Sequence, residues 1–397
     1  MNLNIIFVII LLGGWCFGKL AEKLKLPAVL GMVILGICCS VVFKTNTPQT
    51  LWDTAGFLRS LALIVILLRA GLGISKAALK KASLTAILMG FCPCIIEAGA
   101  LTFAFHYVFQ FDYITSAITA FLLAAVSLAV VVPTMLELKD EGYGRKKNVP
   151  TVVLAGTSLD NVLAITCFSI FLSLAVTGRI NVAKAALGIP LSITVGILSG
   201  IIAGLVLTHY FKKHHENFRA TEKTLVLLAC AALLVDIGEK YHFAALLSIM
   251  TIGFILLEKA EPIAHELSRK FAKIWIFAEI ILFVLIGYSV DIGTVCSVGL
   301  KGLAVISIGL IFRSFGVLIA TAFSGFTLKQ RLFCVIAYLP KATVQAALGG
   351  LALSKGLPNG EAILAIAVLS IIFTAPLGLI GIRLFGKKLL DLDVPQQ

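Results

Sequence analysis

Runs of 18 or more residues with few or no charges recur along the whole chain, and no soluble fold accommodates so many of them. Thirteen such stretches read as membrane spans, at about 3–18, 26–43, 55–73, 83–109, 112–138, 149–177, 184–211, 222–238, 241–257, 273–291, 295–324, 328–354 and 358–387. In hydrocarbon every backbone N–H and C=O must be satisfied internally, which leaves helices or closed barrels. Barrel strands alternate polar and apolar in short segments. These runs do not, so the expected fold is an all-α polytopic membrane protein. Several runs exceed the roughly 20 residues needed to cross a bilayer, so tilted or broken helices are expected. The first run lacks a basic start and a convincing cleavage site, and reads as a span rather than a signal peptide.

Composition agrees. Of 397 residues, 59% are hydrophobic and 13% charged. A soluble domain has roughly 45–50% and 25%. Nine cysteines lie mostly inside apolar runs, without zinc-ligand spacing, and read as core residues. No P-loop, dinucleotide fingerprint or zinc-binding histidine pair is present, which disfavours an ATP-driven pump. The chain reads as a carrier, not an enzyme, with no cofactor.

The net charge of +13 does not point to nucleic acid, because the basic residues flank the spans. Of 33 Lys and Arg, 23 fall at the loops after odd-numbered spans and at the C-terminal end. Six fall on the other side: Lys44, Arg179, Lys184, Lys240, Lys301 and Lys355. Basic loops stay cytoplasmic. The expected orientation in the inner or plasma membrane is therefore N-terminus outside and C-terminus inside, with membrane lipid as the surrounding partner. The other four, Arg59, Arg69, Arg313 and Lys341, fall within or at the edge of spans.

Thirteen spans divide as six, one and six, and the two sixes enter from opposite sides. An inverted repeat is a recurrent transporter plan, and paired helix interruptions are its best pointer to a midplane site. The fifth span of each half holds such a signal, at Pro133 followed by Thr134 and at Pro340 followed by Lys341. The expected helix breaks lie at Pro133 and Pro340.

Ionisable groups at membrane depth are costly and are functional candidates by default. Glu97, Asp160 and Arg313 fall mid-span, and Glu279 is a weaker candidate nearer a cytoplasmic end. Glu97 and Arg313 occupy equivalent fourth spans, so acid and base can compensate each other. A proton and cation relay is the reading, with a structural ion pair as the alternative. Thr157, Ser158, Asp160 and Asn161 supply the oxygen ligands that a hard cation takes.

These residues resemble the monovalent cation:proton antiporters, and most of all their NHA-type Na⁺/H⁺ exchangers. The matching stretches are 68–73, 94–98, 130–135, 156–160, 326–329 and Tyr338–Ala347. The resemblance implies a six-helix core from spans 4–6 and 11–13, with spans 5 and 12 discontinuous and crossing. The implied division is 1–73 scaffold, 83–177 first core half, 184–211 linker, 222–291 scaffold and 295–387 second core half, with a homodimer through the scaffold. It implies exchange of Na⁺ or Li⁺ for H⁺ at a site of Asp160, Asn161 and Thr134, with Glu97, Arg313 and Lys341 compensating charge.

At one position the chain departs from that pattern. Antiporters of this type carry a carboxylate where Asn161 stands, and an amide cannot take up a proton. Three readings stand: a variant whose carrier carboxylate has been neutralised to an amide at Asn161, with impaired exchange; natural operation on Asp160 with Glu97; or loss of antiport. Outside this reading stand a Na⁺-coupled organic-anion symporter and a sensor homologue that does not transport.

Overall fold

The computed structural model describes residues 3–43, 49–73, 84–177, 182–214, 218–241 and 243–392. Lys44, Lys76, Lys80, Lys81 and Arg179, which enter the charge asymmetry, lie outside the described residues. The helices are α1 Leu3–Val8, continued through a π-helical turn Ile9–Gly13 into α2 Gly14–Lys23, then α3 Ala28–Phe43, α4 Gln49–Gly73, α5 Leu84–Phe109, α6 Tyr113–Ala124 and α7 Leu128–Asp140. They continue as α8 Val149–Thr177, α9 Val182–Lys213, α10 Ala220–Tyr241, α11 Ala245–Lys259, α12 Glu261–Tyr288, α13 Ile292–Ala320, α14 Leu328–Ala337, α15 Thr343–Ser354 and α16 Gly360–Leu389. Among the described residues the extended pairing is one isolated bridge, Tyr143 with Leu392.

Each expected span finds its helix, and nine stretches among the described residues are long and apolar enough to cross a membrane. The tenth span starts earlier than its apolar run, at Glu261, because a polar stretch continues the same helix. Spans 5 and 12 are each two half-helices, α6 with α7 and α14 with α15. At 1.5 Å per residue, the 12 residues of α6 or α15 make about 18 Å, far less than a bilayer.

The breaks lie at 125–127 and 338–342. Pro340 sits in the second. Pro133 does not sit in the first: it lies inside α7, five residues past the helix start. Only one intrahelical bond is lost there, and the helix tolerates it. What opens the chain at 125–127 is a set of outside partners. Val126 N–H donates to an Asp160 carboxylate oxygen at 3.2 Å, and Ser127 N–H donates to Pro340 O at 2.8 Å. The two breaks therefore bond each other directly.

By packing, the helices fall into two groups. In one, α13 lies along α5, α8 packs on α5 and α6, and α16 covers α13, α14 and α15. In the other, α12 packs on α3 and α4, and α11 on α4. The seventh span, α9, lies along α11, where Ser248 Oγ donates to Gly196 O at 2.8 Å. The groups meet where α15 touches α12 and α4, where α3 touches α16, and where α8 touches α9 and α11.

Candidate functional site: a buried charge cluster at the helix crossing

Small residues bring the charged helices close enough to pair. A Cβ at Gly316 would lie 2.6 Å from Pro93 Cα, and one at Gly309 would lie 2.9 Å from Leu101 Cδ2. Gly309, Arg313 and Gly316 form one stripe of α13, and Leu101, Glu97 and Pro93 form the facing stripe of α5. The glycines thus set Arg313 opposite Glu97 in an antiparallel register. Gly90 does the same between α5 and α8, where a Cβ would meet Leu159 Cβ at 2.4 Å.

Arg313, Glu97 and Asp160 are fully shielded. All five N–H groups of Arg313 find acceptors. Nη1 donates to Glu97 Oε2 at 2.5 Å and to Ala124 O at 2.6 Å. Nη2 donates to both oxygens of Asp160, at 2.8 and 2.9 Å. Nε donates to Tyr338 O at 2.8 Å, and the guanidinium lies 5.2 Å from the Tyr338 ring centre. One arginine of α13 thereby ties α5, α8 and the last residue of α6 to the second break. Such saturation is what makes a buried ionic group tolerable.

A second cation completes the cluster. Lys341, in the second break, pairs with Glu97 Oε1 at 2.7 Å and donates to Leu123 O at 2.5 Å. Thr374 Oγ1 accepts from Lys341 N–H at 2.9 Å, fixing the break against α16. With both acids ionised and both bases protonated, the cluster carries no net charge.

The crossing also resolves the C-terminal end of α6. Its last carbonyls have no partner within the helix and form the negative end of its dipole. Gln345 Nε2 donates to Leu122 O at 3.0 Å and Ala125 O at 2.8 Å, while Lys341 and Arg313 take Leu123 O and Ala124 O. Gln345 is a site residue that sequence reasoning missed. Its signal was available: a carboxamide four residues after Lys341 in an otherwise apolar half-helix.

The structure thus brings together Glu97, Asp160, Arg313, Lys341 and Pro340. Asn161 is 1% exposed, and its amide nitrogen and oxygen both lack a hydrogen-bond partner. Ser127 Oγ, Tyr338 Oη, Thr343 Oγ1 and Gln345 Oε1 are likewise buried without one. The hydroxyls of Thr134, Thr157 and Ser158 donate back to their own helices, to Val130 O and Val131 O and to Leu154 O. Their oxygens keep lone pairs that can face a cation. Glu279 lies apart, half-buried on α12, where Arg69 and Glu22 are the charges acting on it.

Two buried acids and two buried bases at the crossing of two broken helices fit ion transport, and comparison settles the family. The model for "Sodium/hydrogen exchanger, transmembrane" matches residues 7–388. The chain belongs to this family. Relatives include the human sodium/hydrogen exchanger 9B2, 34% identical over 98% of this chain and 74% of that protein. Human sodium/hydrogen exchanger 9B1 is 31% identical over 98% of this chain and 78% of its own length. The sodium proton antiporter MjNhaP1 from Methanocaldococcus jannaschii shares the fold, with TM-score 0.78, 20% identity and 96% of each chain covered. The chain is accordingly a multi-pass membrane member of a cation/proton exchanger family.

Proposed function

We propose that this member of the exchanger family carries Na⁺ or Li⁺ one way and H⁺ the other by alternating access, with the cation taken at Asp160 beside Asn161, Thr134, Thr157 and Ser158. The observation that carries the proposal is the unpartnered Asn161 amide, fully buried next to an Asp160 whose carboxylate is held by Arg313. A cation arriving there meets free amide oxygen and a negative charge, and protonation of that carboxylate expels it. Each ligand shifts the conformational equilibrium only by its difference in affinity between the two states. No cofactor is required, and the carrier is not an enzyme. The α1–α4 and α9–α12 group serves as scaffold and homodimer contact, and the α5–α8 and α13–α16 group moves with the site. The protein resides in the cell membrane with its N-terminus outside.

Exchange is weak in this reading, because Asn161 can neither titrate nor neutralise the ion, and Asp160 shares its charge with Arg313. The organic-anion symport reading loses support on the same geometry, since the five Arg313 N–H groups leave none for a substrate carboxylate. Purified protein in proteoliposomes tests this. Na⁺-dependent proton release is expected to be low, and Asn161→Asp is expected to raise it severalfold. Equal, robust exchange by both proteins would show that Asp160 and Glu97 suffice. Cation-jump currents on a supported membrane that are absent from both proteins would favour a sensor instead.

A further inference from the structure

The charge cluster leaves one intramembrane arginine unused. Arg59 lies ten residues into α4, half-buried, in a stretch that is otherwise apolar. Its Nε donates to Ala55 O on its own helix at 3.2 Å. Among the described residues it enters no ion pair. A permanent cation at this depth needs compensation from somewhere.

Its tip rests on the other helix group. A Cβ at Gly350 of α15 would lie only 2.3 Å from Arg59 Nη1, so the missing side chain is what seats the guanidinium. Ile286 of α12 closes on the same spot, with its Cδ1 3.9 Å from such a Cβ at Gly349 and 3.8 Å from one at Gly350. Gly350 stands near the C-terminal, negative end of the α15 dipole, where the Leu351, Ala352 and Leu353 carbonyls accept from the backbone N–H groups of Lys355, Leu357 and Gly356. That end stabilises a cation without a carboxylate.

The position matters because α15 runs from the crossing toward the membrane face that carries Lys355, opposite the basic loops. Arg59 stands in the seam between the two helix groups, where α4 meets α15. We propose that Arg59 is the residue that closes the α4–α15 seam to cations on the Lys355 side, with Gly350 kept bare to receive it. Arg59 is a positioning and selectivity residue here, distinct from the titrating cluster. The transport arm of the test rests on the exchange reading above, whereas the labelling arm does not.

Ala347 lies three residues before Gly350 on the same face of α15 and is 4% exposed. An Ala347→Cys protein in sealed vesicles would be treated from the Lys355 side with a membrane-impermeant maleimide. Modification at position 347 would be read by peptide mass spectrometry, which separates it from the native cysteines. Labelling is expected to be slow with Arg59 present, severalfold faster with Arg59→Gln, and slow again with Arg59→Lys. Gly350→Ala, which pushes the guanidinium off its seat, is expected to fall between. In exchange assays Arg59→Gln is expected to shift the apparent KM for Na⁺ severalfold on the Lys355 side and leave the opposite side unchanged. Labelling that stays equally slow in Arg59→Gln, or rises equally from both sides, would overturn the proposal. If the unaltered chain carries no Na⁺-dependent proton flux, the exchange reading fails while the labelling still decides the role of Arg59.

Discussion

Removing Arg313 should be among the most damaging single changes in the protein, and the cause should be the charges left behind rather than the volume lost. Arg313→Ala strands Asp160, which is 0% exposed, leaves Glu97 to Lys341 alone, and frees the Ala124 and Tyr338 carbonyls. Breaking a buried pair by deleting one partner costs about 3–5 kcal/mol. At about 2 °C per kcal/mol, the shift suited to a large unit, that predicts a melting loss of about 6–10 °C. Intrinsic fluorescence during heating in detergent reads it. Leu300→Ala is the control, since Leu300 is 84% exposed and its truncation opens no cavity. The decisive comparison is the double variant Arg313→Ala with Asp160→Asn, which removes the stranded charge and keeps the buried Glu97–Lys341 pair. It should recover more than half of the loss. A single-variant loss no larger than that of Leu300→Ala, or a double variant as unstable as the single one, would refute the compensation argument.

Further outcomes follow from the same geometry. Gly316→Ala should destabilise by about 1–3 kcal/mol, because its Cβ would meet Pro93 Cα at 2.6 Å, whereas Gly99→Ala meets nothing within 4 Å and should be neutral or stabilising in the same melting assay. Asp112 caps α6 by accepting from Ile114 and Thr115 N–H, so Asp112→Ala should cost roughly 0.5–2 kcal/mol in that assay. Burial pushes the Asp112 carboxyl up, but its hydrogen bonds outweigh this and hold it below its ordinary value. The contribution is therefore complete above the unfolded-state value and is lost as pH falls through the lowered one, which melting at stepped acid pH will show. A reporter fused to the C-terminus in bacteria should fluoresce and show no phosphatase activity. Phosphatase activity there would reverse the orientation drawn from 23 basic residues against six.

The sequence by itself determined what the solvent dictates. Lipid demands long apolar helices, so the spans, their number and the sidedness of the basic residues are written in composition and periodicity alone. Glu97, Asp160 and Arg313 were legible for the same reason, because a charge in an apolar run is rare enough to stand out without any neighbour being known. Tertiary structure decided everything that depends on which groups meet. Pro133 marked a break by its chemistry, yet a helix survives the loss of one N–H, and the chain opens instead at 125–127, where no residue announces it. That opening is held by Asp160, 34 positions from Val126, and by Pro340, whose carbonyl takes the Ser127 N–H. Lys341 and Gln345 acquire their roles only because α15 approaches the end of α6, 218 and more positions away in the chain. Hydrogen bonds and ion pairs act over about 3 Å. Partners so distant in sequence leave no periodic trace in it, so only the folded chain states which carbonyls each cation satisfies.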